Sequence, residues 1–149
     1  MLILGAGNPF RQDDAAGLHA ARRLKTQVPD GVMVVEAEGD LAAAIDAWRG
    51  QDTVILIDAM RSGSHPGTVL KLEAHERPVP VSFSRSSTHA FGVAEAVELA
   101  RAMGMLPPRV VLYGIEGKSF AAGEGLSSEV EHAVVEVVGH VLKEISAHA

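Results

Sequence analysis

The run Val54-Ile55-Leu56-Ile57 constrains this chain more than any other feature. A strand that is apolar on both faces belongs in the middle of a sheet covered on both sides, because a sheet with one wet face would alternate apolar and polar residues. The run starts at Thr53 and ends in Asp58, so a carboxylate stands at the mouth of a buried strand. Around it, apolar runs of strand length alternate with longer helical patterns, the signature of an α/β fold on a mostly parallel sheet. The 149 residues suit one domain, residues 1–149. At 47 % hydrophobic and 21 % charged they can bury roughly 70 % of the unfolded surface in a single core.

Five strands and four helices follow from the pattern. Leu2 to Gly5 reads as strand one, and the acidic pair Asp13-Asp14 opens a helix reaching about Lys25. Val32 to Val35 is strand two, and Leu41 to Trp48 has helical spacing behind Asp40 as a cap. Thr53 to Ile57 is strand three. Gly67 to Glu73 forms strand four, but the loop before it is too short for a parallel crossover, which takes a dozen or more residues, so strand four is antiparallel. Residues 74–88 form a long polar, proline-bearing loop into a helix at Ala90 to Met103. Val110 to Tyr113 is strand five, and Ser127 caps a last helix reaching Ile145. The prediction is a three-layer α/β/α sandwich on a five-stranded, mostly parallel twisted sheet. Ligands in such sheets sit beyond the carboxyl ends of the strands where the winding reverses, here between strands one and three.

Thirteen Lys and Arg against nineteen Asp and Glu give a formal charge of −6, with no basic tract to meet a phosphate backbone, so nucleic acid is not expected as a partner. The absence of cysteine removes disulfides, thiolate nucleophiles and cysteine-held metals. No basic n-region precedes the first apolar run and no stretch reaches membrane-spanning length, which predicts a cytoplasmic protein with no membrane partner. Gly5-Ala6-Gly7-Asn8 invites comparison with a dinucleotide fingerprint, but the third glycine position is Phe10 and Pro9 removes a backbone donor. A tight turn is the simpler account of those glycines, and no organic cofactor is expected. There is no G-x-S-x-G elbow and no H-E-x-x-H helix, and the single E-x-x-H spacing at Glu129 and His132 reads as a solvated helix face.

What remains is Asp14 at a helix start, Asp58 at the end of the buried strand and His89 where the long loop enters helix three. Each has a bland account: a cap, a loop-turning acid, a first-turn residue. Together they make an incomplete coordination shell, since two nearby carboxylates repel and a divalent cation relieves that repulsion. Mixed oxygen and imidazole donors suit nickel, zinc or iron better than magnesium.

The chain also resembles the maturation endopeptidases of nickel-iron hydrogenases. The resemblance runs through Leu4-Gly5-Ala6-Gly7-Asn8-Pro9, Asp13-Asp14-Ala15-Ala16-Gly17, Ile57-Asp58-Ala59-Met60-Arg61-Ser62-Gly63 and Pro66-Gly67-Thr68. It continues in Ser87-Thr88-His89-Ala90-Phe91-Gly92, Tyr113-Gly114-Ile115-Glu116-Gly117 and Gly125-Leu126-Ser127. It implies an endopeptidase, grouped with aspartyl proteases, that removes a C-terminal extension from the hydrogenase large-subunit precursor after nickel insertion. The family's metal-binding and catalytic positions map onto Asp14, Asp58 and His89, which would bind the nickel carried by the substrate. Many members have Glu where this chain has Asp14, and an Asp-Gly-Gly-Thr turn where it reads Glu36-Ala37-Glu38-Gly39-Asp40. Two other classes fit the same sandwich: a nickel-sensing checkpoint module that docks without cutting, and a small-molecule hydrolase, which would need a deep pocket instead of an open cleft.

Overall fold

A computed structural model describes residues 1–39, 41–80 and 92–148. The strands are β1 (Leu2–Ala6), β2 (Met33–Ala37), β3 (Thr53–Met60), β4 (Val69–Glu73) and β5 (Arg109–Glu116). The helices are α1 (Ala16–Lys25), α2 (Ala44–Trp48), α3 (Val93–Ala102) and α4 (Ser128–Ala147), with a 3-10 turn at Gln12–Ala15 leading into α1. The sheet order is β2-β1-β3-β5-β4, parallel throughout except for the antiparallel β4–β5 pair. The short loop between strands three and four dictates that exception, and the winding reverses between β1 and β3 as predicted.

Alternation along each strand divides the core. Leu2, Leu4, Val54, Leu56, Val110 and Leu112 face α2 and α3, where Leu41, Ile45, Trp48, Val93 and Val97 cover them. Ile3, Ile55, Ile57, Val111, Tyr113 and Ile115 face the opposite way, against Leu24 of α1 and the valine stripe Val130, Val134, Val137 and Val141 of α4. Each fully buried aliphatic side chain contributes about 1.5–3 kcal/mol, so both faces of β3 are well anchored.

Two strands run further than their apolar runs suggest. β3 and β5 pair from Thr53 with Arg109 to Met60 with Glu116, whereas β1 meets β3 only from Leu2 with Val54 to Gly5 with Ile57. Asp58 therefore lies inside β3, opposite Gly114, and β3 and β5 overshoot β1 to form a ledge. α2 is shorter than the predicted segment and its first turn follows Ala43; Asp40 falls outside the described residues.

The glycines after β1 serve close approach instead of a left-handed turn. Neither Gly5 nor Gly7 has positive φ. A Cβ on Gly5 would strike the Gly17 carbonyl, one on Gly7 the Asp14 carbonyl, and one on Gly17 the carbonyls of Ala6 and Ile57. α1 can thus press its first turn directly onto β1 and β3. Gly17→Ala should lower stability by about 3 kcal/mol through this overlap. Gly139→Ala, on the exposed face of α4 with open space around it, should raise stability by about 0.5–1 kcal/mol. Chemical denaturation midpoints of the two variants check this, and equal shifts would contradict it.

Candidate active site at the carboxyl ends of β1 and β3

The turn after β1 is fixed before it delivers any side chain. The Phe10 N–H donates to Asn8 Oδ1 at 2.9 Å, and Gln12 holds φ at +47°, an unusual conformation for a residue with a Cβ. Asp13 is fully buried, and its carboxylate accepts the N–H groups of Lys118, Ser119 and Ser127 at 2.8, 3.0 and 2.8 Å and the Ser127 hydroxyl at 2.9 Å. Asp13 therefore binds the β5–α4 loop to the turn instead of capping a helix. Ser127 occupies the cap position of α4, but its hydroxyl serves Asp13 and makes no capping bond.

With Asp13 turned toward that loop, the next residue, Asp14, enters the mouth of the sheet at 2 % exposure. Asp58 meets it there. Asp58 shares the face of Val54, Leu56 and Met60, the α2/α3 side, and is 7 % exposed. One of its oxygens accepts the Ala59 N–H at 2.9 Å. Burial pushes its carboxyl well above the usual carboxylate range, and the neighbouring Asp14 charge adds to the shift. The Ala59 hydrogen bond opposes it, and Glu95 of α3 contributes a smaller repulsion. Two carboxylates from separate elements thus share one poorly solvated space, in which the ionised form of Asp58 is disfavoured and a cation would relieve the repulsion.

His89 lies outside the described residues. Among the described residues, no group of three or more His, Asp or Glu side chains is arranged to hold a metal ion, so Asp14 and Asp58 are the two donors that can be placed. A further buried acid was not singled out from sequence. Glu116, at the end of β5, accepts the Ser62 N–H at 3.1 Å on both oxygens and also its hydroxyl, which ties down the loop after β3. Its only sequence signal is its place in the run Tyr113-Gly114-Ile115-Glu116-Gly117. Glu36 bonds Arg22 at 2.8 Å and Lys25 at 2.6 Å, the Lys25 bond being the chief cause of its lowered pKa, so it joins β2 to α1. His65 is exposed, and its carbonyl caps Thr68.

A cavity of about 580 Å³ lies at the opposite end of the sheet between Trp48–Asp52 and Gly104–Pro108. It is remote from Asp58 and from the carboxyl ends of the strands, where ligands bind in open sheets of this kind. No helix is long and apolar enough to cross a membrane among the described residues.

Comparison with known proteins places the fold and the family. A family profile described as hydrogenase maturation protease matches residues 18–144. The chain is 28 % identical to the hydrogenase 2 maturation protease of Escherichia coli over 146 residues, covering 95 % of this chain and 88 % of that protein. Its fold superposes on an endopeptidase from Escherichia coli with a TM-score of 0.87 at 26 % identity, covering 99 % and 93 % of the two chains. A nickel-iron hydrogenase maturation protease from Thermococcus kodakarensis superposes with a TM-score of 0.72 at 26 % identity, covering 97 % of each.

The crowded carboxylates predict a sign for stability against pH. A carboxyl whose folded pKa is raised costs stability above its unfolded value of about 3.9 and costs nothing below it. Asp58→Asn should therefore stabilise the fold by on the order of 1 kcal/mol at pH 8, with the gain fading toward pH 4. Thermal melts of both proteins across that range read it; a gain independent of pH would contradict the assignment.

Proposed function

Because this chain belongs to the hydrogenase maturation protease family and is a peptidase, we propose that it removes the C-terminal extension of a nickel-iron hydrogenase large-subunit precursor once nickel is in place. The observation that carries this reading is the convergence of Asp14 and Asp58, buried on different elements, at the ledge where β3 outruns β1. With His89 as third donor, they would bind the nickel that the substrate brings. The ion is then part of the recognition signal. The donor chemistry suits this, since two carboxylates and an imidazole leave positions for the substrate's own ligands.

Peptide hydrolysis also needs a base for the attacking water. Substrate nickel beside the pair would relieve its repulsion and keep both carboxylates ionised, and an oxygen not engaged with the ion can accept the water's proton. Asp13 and Glu116 act indirectly in this reading, by fixing the loops that frame the cleft.

Intact-mass measurement of nickel-loaded and nickel-free precursor tests the proposal. Loss of a C-terminal peptide is expected only from the nickel-loaded form, with Asp58→Asn and His89→Ala slowing it by at least about 100-fold. A stable complex with unchanged mass would instead favour a checkpoint that docks without cutting. Cleavage of nickel-free precursor at an equal rate would remove the metal from the recognition step.

A further inference from the structure

The face of the sheet that carries Asp58 continues across β1 and β2. Asp58 follows Ile57, the partner of Gly5, and Ala6 follows Gly5 and pairs with Ala37. Asp58, Ala6 and Ala37 therefore stand at one level on one face. Beyond Ala6 this face opens into a cavity of about 240 Å³, floored by Leu4, Val35 and Ala37 and walled by Leu41, Ala44 and Ala47. Short side chains leave the space open. The polar groups at its rim are Glu36, held by Arg22 and Lys25, and the exposed Glu38.

We propose that this cavity is a specificity subsite receiving an apolar side chain of the substrate peptide close to the cleaved bond. The inference rests on the protease reading above and deepens it. Two observations select that occupant. The first is continuity: β2 lies two strand spacings from β3, about 10 Å, and an extended peptide advances about 3.3 Å per residue, so the cavity is reached about three residues from a bond held at Asp58. The second is chemistry, because among the described residues the floor and walls offer aliphatic groups and no side-chain hydrogen-bond partner, so a polar side chain would lose its hydration uncompensated.

Cleavage kinetics on nickel-loaded precursor test the subsite, with each precursor residue within four positions of the cut changed singly to Ala. With the wild-type enzyme, one apolar-to-Ala change is expected to lower kcat/KM by about 10- to 100-fold. Ala47→Leu, which fills the cavity, should lower kcat/KM on the parent precursor to a similar degree and melt no lower than wild type. On the Ala-substituted precursor it should cause no further loss, a non-additivity that a general structural effect would not produce. Ala43→Phe, at the exposed mouth of the cavity, carries the same test if Ala47→Leu fails to fold. Wild-type kcat/KM in the filled variants, or losses that multiply, would overturn the subsite. An unchanged precursor mass with the wild-type enzyme would remove the protease reading instead, and the subsite with it.

Discussion

The contact of Gly17 with the carbonyls of Ala6 and Ile57 sets the position of everything at the mouth of the sheet. Without side chains at Gly5, Gly7 and Gly17, the first turn of α1 lies directly against β1 and β3, and the 3-10 turn before it must fold back over the strand ends. Any Cβ there would push the helix outward and carry Asp14 away from Asp58. Backbone contact is stiffer than contact through side chains, because no rotamer change can absorb a displacement. That stiffness suits a site whose two acids come from different elements.

The buried acids divide into two kinds. Asp13 and Glu116 accept N–H groups and hydroxyls on their carboxyl oxygens, and they serve as fasteners for two loops. Asp58 accepts one main-chain N–H among the described residues and lies in the field of another carboxylate, so its ionised form is disfavoured. The first kind stabilises the fold, and the second stores unfavourable electrostatics that a cation can discharge. Removing a fastener would loosen the frame, whereas neutralising Asp58 would steady it. Opposite effects on stability of two buried acids, one hydrogen-bonded and one crowded, are a common consequence of placing charge in a dry cleft.

Much of this was legible along the chain. The doubly apolar strand at Val54 to Ile57 required helices on both faces, and the short Ser- and Gly-rich loop after it required an antiparallel fourth strand. Asp14 and Asp58 could be picked out because the first stands at a helix start and the second at the end of a buried apolar run. The role of Asp13 was not legible, since its partners Lys118, Ser119 and Ser127 are more than a hundred residues away. Nor was the purpose of Gly5 and Gly7, because a glycine required for close approach looks in sequence like a glycine required for a turn. The extent of β3 past Ile57 was hidden for a similar reason: Asp58 ends the apolar run but not the hydrogen-bonded ladder.

The sequence by itself determined the layers, the direction of the strands and the end of the sheet at which chemistry could occur. Those properties depend on local periodicity and loop length, which neighbouring residues encode. Only the tertiary structure decided that β3 overshoots β1, that Asp13 faces the β5–α4 loop while Asp14 turns to Asp58, and that alanines of α2 leave a cavity beside the same face. Each of these is a contact between segments far apart in the chain, fixed by packing and register and not by any residue's own preference.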